Sequence, residues 1–370
     1  MPMSAPETAP ATLATLLHAL VQNGGSDLHL QAGEAPMARI HGGLGRFELP
    51  PLTEADVLRI AREILGSDEK LAALLRDKDH DTALTVEGAG RFRVNLFFQR
   101  NLPGLVLRTI GTRILTLDEL ALPAVLKDIV QAPDGLILVT GATGSGKSTT
   151  LAACVDHLNA TESVHIMTLE DPIEFLHANK RALVNQREIR LDSESYAAAL
   201  KHVLRQDPDV ILIGEIRDIE SVTTALTAAE TGHVVFATLH TQDAAETLER
   251  IINMFPADKV RQIRMQLAMG LRAVLCQKLL PKVGGGRTAA LEILVNTPRI
   301  KKLILEGDTL KIPAALQAGR QEGMQTFNQA LVELLQQGRV TEEDALRSSP
   351  KPDELKMNLK GIFSGTTGMS

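Results

Sequence analysis

The sequence predicts an α/β fold: a mostly parallel sheet flanked by helices, with a small α+β domain before it and a helical subdomain after it. Three observations carry this expectation. First, GATGSGKST at 141–149 satisfies G-x-x-x-x-G-K-[ST] at every specified position and directly follows the apolar run 136–139. Second, strand-like runs at 136–140, 164–169, 210–213 and 234–238 alternate with helical stretches, as in a sheet whose parallel strands are joined by crossover helices. Third, the character of the chain changes on either side of that region, and 370 residues suggest roughly two or three domains.

Taken in order, residues 1–12 are rich in Pro and Ala and read as a disordered tail. A helical apolar pattern covers 13–21, followed by the alternating 26–30, a hairpin turn at Gly42 and Gly43, and helical segments at 53–65 and 68–75. Two longer strand candidates, 91–98 and 104–110, complete a small α+β domain over 13–110. The Leu/Asp/Glu/Pro-rich 111–122 reads as a linker, and the nucleotide-binding core is expected over 123–286, ending in the loop Gly284, Gly285, Gly286. From 287 to 370 the pattern is a short strand at 289–295 and helices near 298–306, 310–318, 326–337 and 342–348.

Composition narrows the function classes. A formal charge of −6 gives no global basic footprint, so nucleic acid is not an expected partner. The two cysteines, Cys154 and Cys276, lie in apolar stretches and form no C-x-x-C pair, which supports neither a zinc site nor a disulfide framework. No apolar run approaches the roughly 20 residues of a membrane span, and the first dozen residues lack a signal-peptide pattern. A soluble protein of a reducing cytoplasm is expected, meeting membranes only through partners.

The chemistry starts at the glycine-rich loop. Gly141, Thr143, Gly144, Ser145, Gly146, Lys147, Ser148 and Thr149 can turn backbone N–H groups onto a phosphate at the positive end of the following helix. Lys147 can neutralise β/γ-phosphates and the Ser148 hydroxyl can ligate Mg²⁺, so the loop is read as a nucleoside triphosphate site. Such a loop grips phosphates and leaves the base unread. The segment 209–215 resembles a Walker B strand, with Gly214 before Glu215 where many such enzymes carry aspartate. Glu215 is then placed to polarise water, and Mg²⁺ must lean on Ser148, waters and another acid. Candidates for that acid lie in Glu170-Asp171-Pro172-Ile173-Glu174, whose carboxylates need a cation or donors to stay close together; the alternative is an ordinary acidic turn. His233 and His240 bracket the strand 234–238; His240, at its carboxyl end, could contact the γ-phosphate, whereas His233 suits an interface. Arg93 and Arg108 stand on the two strand candidates of the first domain and, if these pair, could meet a phosphate together; exposed strand arginines are the alternative.

Together, Ser26-Asp27-Leu28-His29-Leu30, the phosphate loop, 170–174, VNQRE at 184–188, LRQDPD at 204–209, GEIRD at 214–218, 230–241 and GMQTF at 323–327 resemble the secretion-type hexameric ATPases, and within them the type IV pilus retraction (PilT-like, twitching-motility) ATPases. The resemblance covers about 13–361. It implies a PAS-like N-terminal domain joined to a RecA-like ATPase domain, a ring of six subunits, and ATP bound in the interdomain cleft. By matching position it implies that Lys147 and Ser148 bind nucleotide and metal, that Glu215 is the catalytic acid of Walker B, and that Glu174 is the acidic-box carboxylate near the reacting water and Mg²⁺. Arg93 and Arg108 would reach the phosphates, and His240 would lie in the histidine box. An inner-membrane pilus platform protein and paralogous pilus ATPases are the implied partners, with the protein held peripherally at that machinery. Assembly-type pilus ATPases usually carry an additional N-terminal region and a four-cysteine zinc element, for which this sequence has no counterpart. Retraction ATPases commonly carry Ala-Ile-Arg-Asn-Leu-Ile-Arg-Glu after the core; here 299–306 reads RIKKLILE, keeping the apolar spacing and changing the charges. An accessory retraction ATPase, an assembly or secretion motor, and a nucleotide-controlled scaffold are the alternatives.

Overall fold

A computed structural model describes residues 12–40, 42–111 and 113–360. The chain forms two compact units, one of Met1–Arg113 with Glu174–Leu176 and one of Ile114–Ile173 with His177–Ser370.

The first unit is built on six strands: β1 (Gly25–Gln31), β2 (Met37–Ile40), β3 (Gly43–Arg46), β4 (Asp79–Val86), β5 (Gly90–Gln99) and β6 (Leu102–Thr109). They lie in the order β3-β2-β1-β6-β5-β4, and every neighbouring pair is antiparallel. Helices Leu13–Gln22, Glu54–Leu65 and Asp68–Asp77 supply the apolar side chains that meet the buried face of this sheet, where Leu17, Leu20, Leu28, Phe92, Leu96 and Leu107 are fully buried. Local signals fix the helix starts. Thr53 caps Glu54–Leu65 in a reciprocal box with Asp56, an arrangement whose loss costs about 1 kcal/mol. Thr12, expected in the tail, instead caps the first helix by accepting from the Thr15 N–H; the rest of that expected tail, residues 1–11, lies outside the described residues. Strand β4 escapes sequence reading because it is a polar edge strand, with Asp79, His80, Asp81 and Thr82 in its first half and no buried position along it.

The second unit carries β7 (Gly135–Thr140), β8 (His165–Glu170), β9 (Leu183–Glu188), β10 (Val210–Ile213), β11 (Val234–Leu239), β12 (Leu271–Pro281) and β13 (Arg287–Val295), in the order β13-β12-β7-β11-β10-β8-β9. All neighbours are parallel except the β12–β13 hairpin. Every residue of β7, β10 and β11 is buried, the signature of a parallel sheet covered on both faces. The structure departs from the expected division at 286/287. Val295 pairs with Ala273 and Arg287 with Pro281, so 287–295 is the edge strand of the core sheet rather than the start of a separate part. Strand β12 escapes sequence reading because its long apolar run has no period that separates strand from buried helix. The expected linker is not a free connector either: Leu117 and Leu122 are buried in the core of the second unit. In helix Pro298–Glu306 the buried residues are Ile300, Leu303 and Ile304, the face that the i, i+3, i+4 spacing predicts. Cys154 and Cys276 are both buried and free. Among the described residues no helix is long and apolar enough to cross a membrane.

Candidate nucleotide site

The phosphate loop leaves the carboxyl end of β7 and runs into helix Lys147–Thr161. Gly141 and Gly146 have φ of 136° and 88°, where side-chain-bearing residues are strained. Space excludes side chains too: a Cβ on Gly141 would lie 2.4 Å from the Gln277 carbonyl oxygen, and one on Gly146 2.8 Å from Gln277 Nε2. Gly146 is the helix N-cap and makes no side-chain capping bond, so first-turn N–H groups face the loop with the positive end of the helix behind them. Lys147 folds back over the loop; its Nζ donates to the carbonyl oxygens of Gly141 at 2.7 Å and Ala142 at 3.2 Å. Ser148 and Thr149 are half-buried at the start of the helix, Thr143 and Gly144 are exposed on the loop, and Ser145 is buried beneath it.

The parallel register brings further chemistry to the same edge. Leu239 pairs with Thr140, so His240 and Gly141 leave adjacent strands side by side. Glu215 follows β10, the next strand over, which puts it about 10 Å laterally from the loop at ordinary strand spacing. Its two carboxylate oxygens are separately engaged. Arg217 donates to Oε2 from Nε at 2.9 Å and Nη2 at 2.7 Å, while His240 Nε2 lies 3.2 Å from Oε1. Burial alone would raise the Glu215 carboxyl, but hydrogen bonding and charge from Arg217, with His240, hold it below the usual range. The same contact raises Arg217. Glu215 is therefore a carboxylate, available to polarise water once a donor yields.

Gly214 has a steric explanation: a Cβ there would lie 2.7 Å from the Tyr196 hydroxyl and 3.1 Å from the Leu169 carbonyl oxygen. An aspartate at this position would collide with β8 and the helix Tyr196–Val203. The acidic segment is balanced by donors, as electrostatics requires. Glu170 accepts from the Thr168 hydroxyl at 2.6 Å and from Gln186 at 3.2 Å, and Asp171 lies 3.6 Å from Arg190. Glu174 is exposed and groups with the first unit, where neighbouring Phe175 pairs with Gly111. His233 stands at the opposite end of β11 from His240; its Nδ1 contacts the Ala228 carbonyl at 2.9 Å, which makes it a local turn stabiliser far from the loop edge. Among the described residues no group of three or more His, Cys, Asp or Glu side chains is placed to hold a metal ion. A Mg²⁺ that arrives with phosphates and keeps several waters needs no such group, and the Ser148 hydroxyl is the kind of oxygen donor it uses.

In the first unit Arg93 and Arg108 are direct cross-strand partners on β5 and β6, both exposed. Two guanidinium groups facing each other repel, and Asp27 offsets that repulsion. It pairs with Arg108 across β1–β6 and accepts from its Nε at 2.7 Å. Burial would raise the Asp27 carboxyl, but hydrogen bonds from Arg108 and Ser26 keep it lowered. Three polar residues of these sites went unnamed in the sequence. Asp27 and Arg217 stand inside motifs quoted for the resemblance, whereas Gln277 left one signal, a lone amide in an apolar run.

Known proteins share this fold. Residues 7–285 match the family described as Type II/IV secretion system protein. The chain is 45% identical over 341 residues to the type IV pilus retraction ATPase PilT of Pseudomonas aeruginosa, covering 92% of this chain and 99% of that protein. It is 41% identical over 346 residues to the type IV pilus ATPase PilU of the same organism, with 93% and 90% covered. A crystal structure of the pilus retraction motor PilT with bound ADP matches at a TM-score of 0.87 and 42% identity, over 94% of this chain and 99% of that one.

Proposed function

Because the chain belongs to the type II/IV secretion system protein family and aligns end to end with a retraction ATPase, we propose that it is a motor ATPase that powers type IV pilus retraction. The observation that carries this reading is the 45% identity across 99% of the retraction ATPase, with a complete phosphate loop in place. The protein uses nucleotide. In our reading, backbone N–H groups at 141–149 and Lys147 grip the β/γ-phosphates, and Ser148 holds Mg²⁺, which supplies charge neutralisation at the phosphates. Glu215 orients the attacking water, and His240, on its Oε1, senses the γ-phosphate through the shared carboxylate. We assign Glu174 to the water and metal, and Arg93 and Arg108 to charge developing on the transferred phosphoryl group, on family position and on the cross-strand pairing of the arginines. A PAS-like domain over 13–110, a RecA-like core, six subunits in a ring, and a seat at an inner-membrane platform protein complete the proposal.

The 41% identity to PilU and the altered charges at 299–306 favour one second reading, an accessory motor of the same machinery. Steady-state hydrolysis tests the enzymatic core. Lys147→Ala removes the loop's cation and abolishes both nucleotide binding and turnover, whereas Glu215→Gln keeps ADP affinity and loses most turnover, of order 10²-fold or more. Turnover by Glu215→Gln at the wild-type rate removes that residue from its role.

A further inference from the structure

Gln277 sits on β12, one residue past the Cys276–Thr140 pair and therefore beside the point where β7 becomes the phosphate loop. Only 2% of it is exposed. Its Nε2 donates to the Ser145 carbonyl oxygen at 2.8 Å, and its Oε1 accepts from the Thr150 hydroxyl at 2.7 Å, in the first turn of the helix. Its own carbonyl oxygen packs so closely under Gly141 that no Cβ fits between them. One side chain and its backbone thus touch the loop at its start, at its inner turn and where it becomes helix.

The peptide plane converts this clasp into a statement about phosphate binding. In a trans peptide the C=O and the next N–H point in opposite directions. Fixing the Ser145 C=O toward Gln277 therefore aims the Gly146 N–H away from β12. Buried amides hold such geometry because both ends must be satisfied, and leaving either unpaired is costly. Lys147 depends on the same frame, since its Nζ rests on the Gly141 carbonyl.

We propose that Gln277 is a positioning residue of the nucleotide site: its side chain sets the direction of the loop's N–H groups and thereby the affinity for the phosphates of ATP and ADP. This rests on the nucleotide reading above and adds a residue from a strand outside the loop. Because the loop holds phosphates in ground and transition states alike, loss of the clasp weakens binding more than it slows chemistry.

The test measures ADP binding by calorimetry and steady-state ATP hydrolysis for wild type, Lys147→Ala, Gln277→Ala, Gln277→Glu, Thr150→Val and the double variant Gln277→Ala/Thr150→Val, with thermal unfolding recorded for each. Gln277→Glu keeps the acceptor for Thr150 and replaces the donor to Ser145 with an oxygen facing an oxygen. We expect both Gln277 variants to raise KM for ATP and Kd for ADP about tenfold with kcat within about threefold of wild type. Thr150→Val should raise them about threefold and add little to Gln277→Ala, because the two act through one contact. A merely structural role would lower Tm and leave KM and Kd at wild-type values in the folded protein; that result overturns the proposal. Should Gln277→Ala fail to fold, Thr150→Val carries the same decision, with an unchanged KM counting against us. Wild type that binds no ADP sinks the nucleotide reading and this proposal with it. Weakening by Lys147→Ala but by no clasp variant sinks this proposal alone.

Discussion

Glu215 keeps its charge because Arg217 contributes two donors to one oxygen, outweighing a burial that pushes the other way. The sign follows. A carboxyl held below its unfolded value of 4.5 contributes stability fully present above that value and lost as pH falls through the lower folded one. If hydrolysis needs this carboxylate, as we propose, its acid limb should lie below the ordinary carboxylate range. Arg217→Ala removes the largest lowering influence and should move that limb toward neutral pH; superimposable pH profiles of kcat/KM for the variant and wild type would show that Arg217 does not tune this carboxyl. At this scale the sequence was legible wherever contacts are local: GATGSGKST needs only the turn that contains it, and Gly214-Glu215 only the strand before it. Gln277 was not legible, because its partners at 145 and 150 come near only once β12 is known to flank β7.

Strands and helices were legible in proportion to how much of their environment their own residues encode. Strands β5 and β6 were legible as two strand-like runs, but their pairing was left open; the register then places Arg93 opposite Arg108. Strand β4 was lost to its polar edge position, and β12 to an apolar run without period. Asp27 gives the arginine pair its frame: buried on β1, it orients Arg108 while both guanidinium groups stay exposed. If these arginines meet charge developing on phosphate, the double substitution Arg93→Ala/Arg108→Ala should lower kcat by about tenfold or more while ADP affinity stays near wild type. Arginines in such roles are worth roughly 10³–10⁵ in other phosphoryl-transfer enzymes. Unchanged turnover in a folded double variant would return both to the status of solvated strand residues.

Across the whole molecule, an α/β part with its nucleotide edge was visible from the alternation of patterns, but the place of 287–295 in the core sheet was not, since a hairpin that closes a sheet looks from sequence like the start of something new. Direction of work is likewise absent from the loop chemistry, because assembly and withdrawal of a fibre can use the same hydrolysis; it comes from likeness to a retraction ATPase along nearly all of its length. The most direct test is therefore mechanical. In the parent strain, deletion of the gene should leave abundant long surface pili and no twitching, with both restored to normal by the wild-type gene and by neither Lys147→Ala nor Glu215→Gln. Cells without pili would identify an assembly motor, and unchanged pili with normal twitching would contradict the retraction account outright.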